Sequence, residues 1–261
     1  MASFTGSGLV EIDPTQAGTY QDLVSADRNA ELDFYASTPA PFDAQVGGTT
    51  PFDLGAAPQR AAEVSVPVTA GQLFSFEVLD PAGEWCAAAP YPTSGGALLE
   101  WVTDGFGGYP AVLKVAQSGT LVLKVSPCTA TGTFRLQPTT IVPSTVTGTT
   151  TDQWGDVTTT STATLEASVP GQVMLMEYDA GRSLHNRFDL RLTGATFPGD
   201  ASLTVAYAEP TASRSRGFVA STFGTFDTAT FHDQFGPTFF FLHAGPKATG
   251  TLDLELTELD Y

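Results

Sequence analysis

The chain has 261 residues, enough for two cores of ordinary domain size, and 42% of them are apolar, as in a globular protein. Its net charge of −17, from 28 acidic and 11 basic residues, disfavours nucleic acid and anionic lipid as partners. No stretch approaches the roughly 18 continuous apolar residues that a membrane-spanning helix needs, so no membrane span is expected. Phenylalanine (18), glycine (26) and proline (18) are plentiful and threonine recurs, which favours pleated strands joined by tight turns. The expected fold class is all-β, as two tandem β-sandwich, jelly-roll-like domains.

In chain order, MASFTGSGLVEIDPTQAG has neither a basic nor an apolar segment of the kind a secretory signal carries. Residues 1–20 are expected to form an N-terminal arm that docks onto an assembly, with the first sandwich over 21–142 and the second over 143–261. Asp22, Asp27, Glu31 and Asp33 open the first domain. Calcium needs six to eight converging oxygens, and SADRNAELDFY lacks the spacing of a DxDxDG loop. No cofactor is therefore expected, with Ca2+ as the alternative to a solvated acidic loop.

Val64, Val66 and Val68 alternate with Glu63, Ser65 and Pro67; then Phe74, Phe76 and Val78 alternate with Ser75 and Glu77. This period of two buries one face and leaves the other wet, and the intervening Thr-Ala-Gly makes a hairpin or a sheet-switching corner. Trp85, Trp101, Phe106, Tyr109 and Trp154 sit near turn residues; they either form a binding platform for glycan or protein, or plug the ends of the sandwiches. Cys86 and Cys128 are either a disulfide or two buried thiols, and no CxxC spacing points to zinc. Leu121, Leu123 and Val125 pair across SPCTATG with Phe134 and Leu136, and Phe239 to Leu242 reads as a strand buried on both faces.

The halves repeat. AEVSVPVTAGQLFSFEVLDPAG (62–83) corresponds to ATLEASVPGQVMLMEYDAG (163–181), setting Gly71-Gln72 on Gly171-Gln172 and Glu77 on Glu177. Likewise 119–137 corresponds to 236–256, where ATGTFRL matches ATGTLDL. The boundary falls near Pro143, in VPSTVTGTTT.

On GQLFSFEV, SGTLVLKV and GTFRL in the first copy, and GQVMLMEY, FDLRL and GTLDLEL in the second, the chain resembles the bacterial pre-peptidase C-terminal domain family. The first copy departs at ALLEWV (97–102), which lacks the aspartate of that family's central strand. The resemblance implies a small jelly-roll-like sandwich, used as an accessory module on secreted enzymes and in some members binding calcium.

Chemistry-bearing residues are sparse. His185, His232 and His243 form no HExxH pair, no GxSxG elbow is present, and structural or surface roles are expected for all three. Arg214 and Arg216, in TASRSRGF, offer either a clasp for a carboxylate or a solvated basic loop. Lysine occurs three times and asparagine and isoleucine twice each, a scarcity of AT-rich codons that fits a GC-rich genome. The expected function is therefore non-enzymatic: a structural or surface-binding virion component of a bacteriophage, partnered by other copies or proteins of the assembly. A secreted carbohydrate-, calcium- or matrix-binding module is the alternative, and a hydrolase the third reading.

Overall fold

The structure, a computed structural model, describes residues 38–55, 61–86, 90–102, 110–179, 186–197, 203–208, 220–223, 228–232, 237–243 and 245–260. The expected arm and the acidic segment holding Asp22, Asp27, Glu31 and Asp33 lie outside the described residues. Within them the chain is all-β, and its only helical element is a single 3-10 turn at Gly96–Leu98.

Four sheets account for the strands. The first runs β1 (Ala40–Asp43), β3 (Ala62–Val68), β8 (Gly119–Val125), β5 (Tyr91–Ser94) from edge to edge. The second runs β2 (Gly48–Asp53), β9 (Thr131–Pro138), β4 (Leu73–Leu79), β7 (Ala111–Val115), β6 (Leu99–Val102). The third runs β10 (Ile141–Pro143), β13 (Met174–Asp179), β18 (Pro237–His243), β15 (Leu203–Ala208), β16 (Ala220–Phe223). The fourth runs β11 (Thr145–Thr151), β12 (Val157–Ala167), β19 (Gly250–Asp260), β14 (Asn186–Ala195), β17 (Thr228–His232). All neighbours are antiparallel except β1 with β3 and β10 with β13.

Inward-facing side chains of the first two sheets make one core, with Val64, Val66, Leu121 and Leu123 meeting Phe74, Phe76, Phe134 and Leu136. Sheets three and four enclose another, built on Met174, Met176, Phe240 and Leu242 against Leu165, Phe188, Leu190 and Leu254. The alternation along these strands puts every second residue into such a sandwich-like core. A third cluster lies elsewhere: Leu73 and Val112 of the second sheet meet Val173, Leu175, Phe239 and Phe241, with Ile141 against them. The second and third sheets therefore pack outer face to outer face. Phe239 to Leu242 is buried on both faces, as the unbroken apolar run predicts.

That packing corrects one expectation. Ser75 and Glu77, read as a wet face, are as buried as Phe74 and Phe76, because the other half of the chain covers them. A second correction concerns pairing. Leu121 to Val125 does not form a hairpin with Phe134 and Leu136; β8 pairs with β3 and β5, while β9 crosses to the second sheet between β2 and β4.

The corner at Gly71-Gln72 is a sheet switch, since β3 and β4 belong to different sheets. Gly71 (φ 83°) and Gly171 (φ 75°) both take the left-handed conformation that side chains resist. In both corners the glutamine carboxamide oxygen caps the end of the preceding strand, accepting from Thr69 N–H (3.0 Å) and Ser168 N–H (2.9 Å).

These twin corners occupy different places in the topology. In the second half, β12-β19-β14-β17 over β13-β18-β15-β16 is the strand order of a jelly roll. In the first half, β2-β9-β4-β7 over β3-β8-β5 follows the same order, and parallel β1–β3 mirrors parallel β10–β13. By that order β3 corresponds to β13 and β4 to β14. The alignment of 62–83 with 163–181 is thus displaced by one strand, whereas β8 with β18 and β9 with β19 stay in register. The shared Gly-Gln corner accounts for the displacement, because it turns the chain from one sheet to the other at both places.

Candidate functional site

The described side chains with perturbed chemistry converge where the second sheet meets the third. β4 presents Glu77 outward at the middle of this seam, and neighbouring β9 presents Arg135 directly opposite. Arg135 donates to Glu77 Oε2 through Nε (3.0 Å) and Nη2, and its Nη2 also reaches Pro246 O (2.9 Å) in the other half. The Trp85 indole N–H donates to the same carboxylate oxygen at 3.2 Å. Glu77 is 1% exposed, and its second oxygen has no hydrogen-bond partner. Burial pushes its carboxyl up to about 7, outweighing the opposing pull of the Arg135 charge and of the hydrogen bonds from Arg135 and Trp85.

Trp85 also bridges the halves. Its ring meets the His243 imidazole edge-on at 4.5 Å, and burial pushes that imidazole down to about 3, so it is neutral at any ordinary pH. Around this centre, Gln137 Nε2 donates to Pro170 O (2.7 Å), Gln172 Nε2 to Pro138 O (3.4 Å), and Lys247 pairs with Glu84 at 2.5 Å on the exposed rim. Cys86, next to Trp85, is disulfide-bonded to Cys128 with Cα atoms 5.2 Å apart. Trp85 is pinned from the other side by its bridge to Leu79 at the end of β4.

The arrangement is that of a joint. Its apolar cluster supplies area, and side-chain hydrogen bonds from Arg135, Gln137, Thr139 and Gln172 cross it to backbone carbonyls. Sequence patterning did not mark Glu77 or Arg135, because a glutamate between Phe76 and Val78 reads as solvent-facing until a second layer is known. The available signal was Trp85 and Cys86 together, an aromatic tied down beside a covalent link.

Trp154 lies in the opposite situation. It caps the β11–β12 hairpin and is 78% exposed, the most exposed large apolar side chain among the described residues. Asp152 Oδ1 accepts from Trp154 N–H (2.7 Å) and Asp156 N–H (3.0 Å), and Gly155 turns the chain at φ 92°. The bare ring thus sits on a tight, internally bonded turn.

The remaining candidates are placed as follows. Trp101 stands on the edge strand β6 and His232 on β17, but only their backbones are described. Phe106, Tyr109, His185, Arg214 and Arg216 lie outside the described residues. Among the described residues no group of three or more His, Cys, Asp or Glu is arranged to hold a metal ion, and no helix is long and apolar enough to cross a membrane. Neither a protein-family model nor a curated protein sequence matches this chain.

Proposed function

We propose that this chain is a non-enzymatic structural or surface-binding protein that works outside the reducing cytosol, most specifically an accessory or decoration component of a phage virion. The observation that carries this reading is the seam. Contacts between neighbouring domains are ordinarily polar and mobile, whereas this one joins two sandwiches through an apolar cluster and four side-chain hydrogen bonds to backbone carbonyls across it, one of them from the arginine of a buried ion pair. A rigid double sandwich of this kind suits a part that holds a surface at a fixed distance and orientation. The Cys86–Cys128 bond supports the setting, since disulfides persist on virion and cell surfaces and are rare in the cytosol. Likeness to pre-peptidase C-terminal domains fits the same role, with the assembly in place of an enzyme.

An antiserum against the chain, applied to purified virions, culture medium and washed cells of the source, tests it. Label on the virions is the expected result; label confined to the cell lysate rules the reading out. Trp154 favours a second reading, a secreted module that stacks its ring on a sugar. Glycan-array binding that disappears in Trp154→Ala, with label in the medium alone, would establish that reading instead.

A further inference from the structure

Among the described residues each of the four sheets ends in two edge strands, and these eight edges differ in how they are protected. Unpaired edges invite pairing with another chain, and proline, charge, shortness and β-bulges are the usual defences. β1, β2, β5 and β10 carry Pro41, Pro51, Pro92 and Pro143. β6 is four residues long with Glu100, and β16 and β17 have four and five residues. β11 lacks proline, charge and shortness, and its one protection is the bulge between Val146 and Gly148. It is the longest edge, with seven residues reading TVTGTTT, without charge or proline, and every one of them is exposed. Both faces of the strand are open, so Val146 stands 60% exposed on the face whose β12 neighbour, Ser161, is buried. Two of the three large apolar side chains exposed among the described residues, Val146 and Trp154, belong to this one hairpin.

We propose that β11 is a self-association edge, pairing antiparallel with β11 of a second copy about a two-fold axis through Gly148. Full overlap of the seven residues sets Thr145 opposite Thr151, Val146 opposite Thr150, Thr147 opposite Thr149, and Gly148 opposite itself. A two-fold contact must be complementary to itself, and an uncharged strand meets that condition. In this register Asp152 faces Ser144 and no like charges are opposed, which matters for a chain of net charge −17. Trp154 then lies beyond the Thr145 end of the second copy's β11. The two fourth sheets join into one ten-stranded sheet across the axis. The bulge between Val146 and Gly148 lies at the middle of the contact, where it sets the twist of the joined sheet.

This deepens the assembly reading by naming a partner, and it rests on that reading only for its biological setting. Gly148 has open space where a Cβ would be and no positive φ, so Gly148→Cys is accommodated. The two-fold register places the two substituted positions within about 4.5–5.5 Å of each other, inside disulfide range. Sedimentation of the full chain over a concentration series is expected to show a monomer–dimer equilibrium, and mild oxidation of Gly148→Cys is expected to yield a covalent dimer. Thr147→Lys with Thr149→Lys sets lysine against lysine at two sites. It is expected to weaken dimerisation about ten-fold or more, with an unchanged melting curve, while Thr120→Lys on the first half leaves it unaltered. A chain monomeric at every concentration, a dimer indifferent to the lysines, or a Gly148→Cys variant that stays uncrosslinked would each overturn the proposal. A monomer still found on virions would overturn this interface alone and leave the assembly reading standing.

Discussion

β4 and β12 carry the same alternation of apolar and polar side chains, yet their polar sets meet opposite surroundings. On β12, Ala163, Leu165 and Ala167 point into the core while Thr164 and Glu166 face solvent, and Thr164 donates to Asp253 at 2.7 Å on the neighbouring strand. On β4, Phe74, Phe76 and Val78 point into the core, but Ser75 and Glu77 are sealed beneath the third sheet. Period-two patterning decides which side chains enter a strand's own core. It leaves open what the other face will meet, and the cost of a polar side chain depends on that second layer.

The comparison is broken most directly at Glu77. Glu77→Ala leaves the Arg135 guanidinium and the Trp85 indole N–H without their shared acceptor inside the seam. The expected loss is about 3–5 kcal/mol of stability in urea unfolding, as for one-sided removal from other buried pairs. Glu166→Ala, the solvent-facing counterpart on β12, is expected to stay within about 0.5 kcal/mol. A loss below about 1 kcal/mol at Glu77 would mean that water reaches the seam.

The pH dependence of stability separates the two buried titrating groups. The folded chain keeps Glu77 protonated up to about 7, whereas the unfolded chain releases that proton from 4.5 upward. Stability from Glu77 is therefore complete below 4.5 and declines as pH rises to about 7. At His243 the unfolded chain takes up a proton below 6.5 that the folded chain refuses down to about 3, so stability declines as pH falls through that window. Between 4.5 and 6.5 the two slopes oppose each other. Glu77→Gln is expected to uncover the acid destabilisation due to His243. His243→Gln is expected to uncover the reverse, a gain approaching about 3 kcal/mol on acidification from pH 7 to 4.5. Parallel pH profiles for the two variants would refute the assignment.

How much was legible follows from the same physics. Strand content and the two inner cores are local properties of alternating side chains, so Val64 to Val68 and Phe239 to Leu242 could be placed from their own spacing. The Gly-Gln corners were also legible as corners. Their place in the topology was not, because Gly71 and Gly171 solve the same backbone problem at non-equivalent strands. The seam was illegible for another reason: Glu77, Arg135, Trp85 and His243 are separated along the chain and acquire meaning only when two sheets stack. Trp154, whose environment is its own turn, could be nominated as an exposed aromatic from sequence.

Those twin corners sharpen the comparison at a smaller energy. Gly71 and Gly171 both have left-handed backbones, so alanine is expected to cost about 1–2 kcal/mol at either. At Gly71 a Cβ meets open space, but at Gly171 it collides with the Arg135 guanidinium and lies 2.9 Å from Pro246 O. Gly171→Ala is therefore expected to cost roughly 1–3 kcal/mol more than Gly71→Ala. It should also shift the near-ultraviolet signal of Trp85 as Arg135 gives way. Equal losses would show that the seam yields without strain.

The smallest expected effect is a gain on one strand and no change on the other. The Ser75 hydroxyl is buried without a hydrogen-bond partner, so it pays for desolvation and receives nothing in return. Ser75→Ala removes that group at the cost of a cavity smaller than a methyl, and the net expectation is a gain of about 1 kcal/mol. On β12, Thr162→Val exchanges a hydroxyl for a methyl at a half-buried position beside Thr145 and Glu255, where solvent competes for the hydroxyl. There the expected change is within about 0.5 kcal/mol. Chemical unfolding of both variants decides the point. A stabilised Ser75→Ala beside a neutral Thr162→Val would show that the seam, rather than the alternation, sets the worth of a polar side chain.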